Sequence, residues 1–174
     1  MCSSDLLTGQ VTKGNWLLSG NASFASQKNS SGATLRYNQT DLQISPAVGY
    51  FVIDKLAFGL RPTFTYGKNN LVSSGQPQTI FALGPFVRYY LLQTERPFNI
   101  FADGSYAYTS LSQGSESRQH TFSFAAGPVL YFNTTVGLEF TVGYSTTKVV
   151  NFSGSNNSIR IGLGLQIHLE KEAK

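Results

Sequence analysis

Large apolar residues alternate with small or polar ones in eight separate stretches of the chain. In LAFGLRPTFTY, residues Leu56, Phe58, Leu60, Pro62, Phe64 and Tyr66 share one face. Ala57, Gly59, Arg61, Thr63 and Thr65 share the other. A period of two is the strand signature, because successive side chains of a strand point to opposite faces. The same alternation predicts strands over 15–24, 41–53, 56–66, 79–92, 98–109, 121–132, 136–144 and 158–169. They run from nine to fourteen residues, close to what a tilted strand needs to cross a bilayer.

The connections alternate as well. Asp54-Lys55, Gln93–Pro97 and Asn133-Thr134-Thr135 are short turns. The other links are long and polar: QKNSSGATLRYNQT, KNNLVSSGQPQ, SLSQGSESRQH and STTKVVNFSGSNN. Short turns at one end and long loops at the other are the pattern of an outer-membrane barrel. Eight strands put both termini at the short-turn, periplasmic end. The expected fold is an all-β, eight-stranded, antiparallel, up-and-down transmembrane β-barrel over residues 11–171, with 172–174 as a short charged tail.

Composition sharpens this. Charged residues are 13%, about half the usual share, while aromatics reach 13% and there are 17 glycines. A soluble domain needs a more charged exterior. No apolar run is long enough for a membrane-spanning helix, which leaves the closed barrel as the structure that satisfies every backbone group in hydrocarbon. The net charge of +4 is scattered along the chain, so no nucleic-acid surface is expected. A single cysteine, Cys2, excludes an internal disulfide and a cysteine metal site. The opening MCSSDL reads unlike the rest, and its codons can be written as the end of a common sequencing adapter. Residues 1–6 are therefore expected to be an assembly artefact that replaces the true signal peptide.

SPAVGYF, RPTFTYG, GPFVRYY and GPVLYF form a weak repeat, each placing a proline inside a strand. Proline removes a ladder hydrogen bond, so bulges or kinks are expected there. The succession of SPAVGYFVIDKLAFGL, GPFVRYYL and SIRIGLGLQIHL resembles the eight-stranded outer-membrane β-barrel, porin-like proteins of Bacteroidota-type bacteria. These sit in the wider class similar to outer membrane proteins A, X and W. The resemblance implies outer-membrane localisation, with bilayer lipid and the barrel-assembly machinery as partners, and no cofactor. It specifies architecture rather than an activity. Such barrels usually end on an aromatic residue, whereas here Leu169 is followed by Glu-Lys-Glu-Ala-Lys.

If the large residues face lipid, the small face lines the lumen. Reading that face along each strand collects Arg61, Arg88, Asp103, Glu139, Arg160 and His168, with Gln43, Asn99, Thr141 and Gln166. Buried charges must pair, and arginine's fork suits carboxylates. The leading expectation is a salt-bridged plug in a non-enzymatic barrel with a structural or surface-interaction role, its long loops open to an extracellular ligand. A narrow porin-like channel is the alternative, and a lipid-modifying enzyme the second. His120 lies at a loop–strand boundary near Ser117 and Ser123, but no third group completes a nucleophilic set. Two distant histidines and no acidic cluster give no metal site. On the outward face, Trp16, Tyr50, Tyr66, Tyr89, Tyr108 and Tyr144 lie toward strand ends, where interfacial aromatics belong. A soluble lipocalin-like barrel would invert these faces.

Overall fold

The computed structural model describes residues 11–31, 35–69, 78–93, 97–111, 117–133, 135–150 and 155–169. The sequence proposals for 1–6 and 172–174 lie outside them. Eight strands follow one another: β1 (Trp16–Ser31), β2 (Leu35–Ile53), β3 (Leu56–Asn69), β4 (Gln78–Tyr90), β5 (Phe98–Leu111), β6 (Ser117–Tyr131), β7 (Val136–Val149) and β8 (Ser155–Leu169). Each pairs antiparallel with its sequence neighbour, and β1 closes on β8 from Trp16↔Leu169 to Phe24↔Ile161. The fold is a closed up-and-down barrel, which leaves no sheet edge.

The period-two pattern sorts the wall. Phe58, Leu60, Phe64 and Tyr66 point outward and are about half exposed, and Ile159, Ile161, Leu163 and Leu165 on β8 are exposed at least as much. Ala57, Gly162, Gly164, Gln166 and His168 point inward. Among the described residues, thirty-three large apolar or aromatic side chains lie exposed on the outside. Such a continuous apolar surface far exceeds the patches that soluble monomers tolerate.

The long polar connections differ from expectation. Most of QKNSSGATLRYNQT is strand, and β1 stays paired with β2 up to Ser31↔Leu35. The ends of KNNLVSSGQPQ, SLSQGSESRQH and STTKVVNFSGSNN are strand as well. A polar segment paired along its backbone needs no apolar face, so composition conceals these hairpin extensions.

The prolines also differ from expectation. Each keeps its register on one side and interrupts the ladder on the other. Pro46 and Pro62 lie in one break, between Ile44↔Phe64 and Val48↔Leu60. Pro85 breaks β4 from β5 between Leu83↔Tyr108 and Phe86↔Ser105. Pro128 breaks β6 from β7 between Ala126↔Val142 and Val129↔Glu139. The register is unchanged across all three breaks. The register shift falls instead at Phe51/Ile53, beside the Asp54-Lys55 turn, where Lys55 has φ +67°.

The Gly-Pro pairs share one geometry. A Cβ at Gly84 would stand 1.7 Å from the Tyr106 carbonyl oxygen, and one at Gly127 1.7 Å from that of Phe140. Glycine is therefore required for the close approach of backbones at both breaks. Gly84→Ala and Gly127→Ala should each cost about 2–3 kcal/mol in urea unfolding from lipid vesicles. Gly20→Ala, which meets nothing within 4 Å, should stay within about 0.5 kcal/mol.

Candidate functional site: the barrel lumen

The small residues of β2 and β3 make room for large ones from β4. Gly49 and Gly59 are register partners, and a Cβ on either would lie 2.9 or 2.8 Å from the Phe86 ring. Phe86 thus lies across both strands. The Arg61 guanidinium stacks over Phe86 at 4.5 Å, and that of Arg88 over Phe101 at 4.2 Å. Both contacts attract a cation to an aromatic face.

Four charges join across the lumen. Arg61 donates a fork to Asp103, Nη1 to Oδ1 at 2.8 Å and Nη2 to Oδ2 at 2.7 Å. Arg88, the register partner of Asp103, donates Nε–H to Asp103 Oδ2 at 2.9 Å. Its Nη1 donates to Glu139 Oε2 on β7 at 2.7 Å and weakly to Gln166 Oε1 at 3.4 Å. Tyr90 donates its hydroxyl to the same Gln166 oxygen at 2.5 Å. Arg88 is 3% exposed, Asp103 2%, Glu139 0% and Arg61 17%. Two guanidiniums and two carboxylates balance in charge, which a site this dry requires.

The glycines of β8 give this network its space. A Cβ at Gly164 would lie 2.7 Å from Glu139 Oε1. One at Gly162 would lie 2.7 Å from Asn21 Oδ1 and from Thr141 Oγ1, which are themselves joined by an Asn21 Nδ2–H donated to Thr141 at 2.9 Å. The GLGLQ run therefore clears the lumen for polar groups from β1 and β7.

Toward the short-turn end the lumen changes character. His168 sits among the rings of Phe51, Tyr90 and Tyr131, with centroids 5.6, 6.1 and 5.6 Å away. Phe51, Tyr90, Phe101, Leu17 and Val129 are fully buried there. Val11 joins them, held by Lys55 N–H donating to its carbonyl at 2.7 Å. These aromatics fall off-phase from the outward pattern near the short turns. That signal was present in the sequence, yet the lumen was expected to hold chiefly small and charged residues.

Toward the hairpin end lies a cavity of about 490 Å³, lined by Ser, Thr, Asn and Gln, with Arg61, Arg88, Asp103 and Glu139 at its deep end. Arg160 stands on its wall, apart from the four-charge network and within electrostatic reach of Asp41. The structure thus brings Arg61, Arg88, Asp103 and Glu139 together and leaves Arg160 and His168 in separate layers. Among the described residues no group of three His, Cys, Asp or Glu could hold a metal ion.

Six of the aromatics on the outer face fall into two levels. Trp16, Tyr50 and Tyr89 lie near the short turns, where Trp16 and Tyr50 meet edge-on at 5.3 Å. Tyr66, Tyr108 and Tyr144 lie toward the hairpin end. His120 is within β6 and faces outward, with Tyr106 Oη 2.6 Å from its Nδ1. Ser123 faces the lumen instead. The Ser117 side chain lies outside the described residues.

A closed barrel of eight antiparallel strands, apolar outside and polar within, is the class these observations define. No protein-family model and no curated protein sequence matches the chain. Solved structures do. Neisserial surface protein A is 18% identical, with 89% of this chain and 97% of that one covered and a TM-score of 0.54. Outer membrane protein OprG from Pseudomonas aeruginosa is 14% identical, with 96% and 100% covered and a TM-score of 0.55. At these identities the likeness is one of fold.

Asp103 serves two arginines, so Asp103→Asn should leave both under-compensated and cost about 3–5 kcal/mol. Arg61→Met, at the wetter edge of the network, should cost about 1–2 kcal/mol. Urea unfolding of the vesicle-inserted barrel, read by tryptophan fluorescence, measures both.

Proposed function

We propose that this chain is a non-enzymatic outer-membrane barrel whose lumen is closed at the short-turn, periplasmic end, and whose work is done by its outward-facing hairpins. The observation that carries this reading is the cross-lumen pair of Arg88 and Glu139, backed by the rings of Phe51, Tyr90 and Phe101. A solute descending the polar cavity meets two arginines and two carboxylates that balance in charge and then a layer of packed rings. An eight-stranded barrel is narrow enough for side chains to fill it. The aromatic levels and the apolar belt support insertion in a bilayer, with lipid and the assembly machinery as partners. The names of the two similar barrels, a surface protein and an outer membrane protein, agree with that location. The Bacteroidota-type resemblance and the porin-like grouping belong to this reading too. The hairpins, rich in Ser, Asn and Gly, offer the surface for an extracellular ligand.

One observation favours a channel as the second reading. The polar cavity reaches down to Arg61 and Glu139, so a rearranged Arg88 would leave an anion-preferring path. Ion conductance of the refolded protein in a planar bilayer separates the two. The closed barrel predicts no steady conductance for the wild type or for Glu139→Ala. Steady wild-type conductance, with a selectivity that changes in Glu139→Ala, would establish the channel instead.

A further inference from the structure

The outer wall carries a groove that climbs obliquely across five strands. Phe58, Val87, Gly104, Phe124 and Tyr144 are successive register partners from β3 to β7. Phe58 is the third residue of its strand from the short turns and Tyr144 the ninth, so this row rises from one end of the apolar belt toward the other. These side chains, with Phe122, line a shallow apolar groove. Gly104 is the notch at its centre, with Val87 Cγ1 3.7 Å from the position of an added Cβ. Adjacent strands lie about 4.8 Å apart, so the row runs roughly 19 Å. That is the scale of one extended acyl chain.

The upper end of this groove is basic. His120 and Lys148 are register partners, and Arg118 lies two residues from His120 on the same outward face. Arg118 and Lys148 are exposed, and His120 is fixed by Tyr106, on which its ring stacks at 6.0 Å, and meets Tyr108 at a tilt at 5.6 Å. Of the carboxylates among the described residues, Asp41, Asp103 and Glu139 face the lumen and Asp54 sits in a short turn. The patch stands just beyond Tyr108 and Tyr144, at the level where lipid head groups lie. Clustered Lys and Arg at that level attract anionic lipid.

We propose that this groove holds one phosphorylated glycolipid of the outer leaflet, an acyl chain lying over Gly104 and a phosphate between Arg118 and Lys148. The proposal rests on the outer-membrane reading, because that reading sets the hairpin end toward the outer leaflet. Both halves are specific to β5–β7, since the apolar notch and the basic pair meet on this face.

The test uses the full chain refolded in detergent micelles, with folding verified by heat-dependent gel migration. Native mass spectrometry then measures retention of lipid A, dephosphorylated lipid A and phosphatidylglycerol. The wild type should retain one lipid A in preference to both other lipids. The double variant R118Q/K148Q should weaken lipid A retention roughly tenfold to thirtyfold and abolish the preference for the phosphorylated form. G104L, which fills the notch, should weaken all acylated probes while still folding. Equal retention of dephosphorylated lipid A or of phosphatidylglycerol by the folded wild type overturns the proposal, as does unchanged retention in R118Q/K148Q. A chain that never folds into micelles overturns the membrane reading, and the proposal with it.

Discussion

Arg88 extends one guanidinium to two carboxylates on different strands, Asp103 at 2.9 Å and Glu139 at 2.7 Å, at a position that is 3% exposed. A charge so far from water is tolerated only when its partners are fixed, because the desolvation of each ion costs several kcal/mol. This requirement organises the middle of the barrel. Arg61 completes the shell of Asp103, Gln166 links the network to Tyr90, and Phe101 lies under the guanidinium at 4.2 Å. Through these contacts β3, β4, β5, β7 and β8 are tied together across the lumen, independently of the ladders that join neighbours around the wall.

The wall is shaped to admit that network. Inward glycines stand where large or charged groups arrive from other strands: Gly49 and Gly59 under Phe86, Gly164 beside Glu139, and Gly162 beside the Asn21–Thr141 pair. In an eight-stranded barrel the interior is only as wide as its side chains, so every large inward residue demands a small one facing it. The same economy sets two regimes along the axis. Aromatics fill the short-turn end, while hydroxyl and amide groups leave a cavity open toward the hairpins. The β8 segment SIRIGLGLQIHL shows both faces in one stretch, with Ile and Leu outside and Arg160, Gly162, Gly164, Gln166 and His168 inside.

Much of this architecture was legible in the sequence, because period-two alternation fixes both strand and face at once. The eight strands, their closure and the set of inward charges follow from it. What alternation does not encode is height within the barrel. Arg160 and His168 share a face with Arg88 on the wall, yet they lie in different layers, because strand tilt and register decide which residues meet. The partners of Arg88 are 15 and 51 residues away in the chain, and no local pattern links them. Strand ends were hidden for another reason. Hairpin extensions above an apolar belt need no apolar face, so they read as loops. The prolines misled because a ladder can lose hydrogen bonds in register, which Gly84 and Gly127 permit by letting backbones touch.

The outside of the barrel is apolar and the inside is set by charge, and the cross-lumen pair is where the inner constraint is most severe. A double-mutant cycle between Arg88→Met and Glu139→Leu, followed by reversible urea unfolding in lipid vesicles, tests that pair directly. Each single change should cost about 3–5 kcal/mol by stranding a buried charge. The double change should cost far less than their sum, with a coupling energy of about 2 kcal/mol or more. Additive costs would mean that Arg88 and Glu139 do not depend on each other. The middle of the barrel would then not be organised by their pairing.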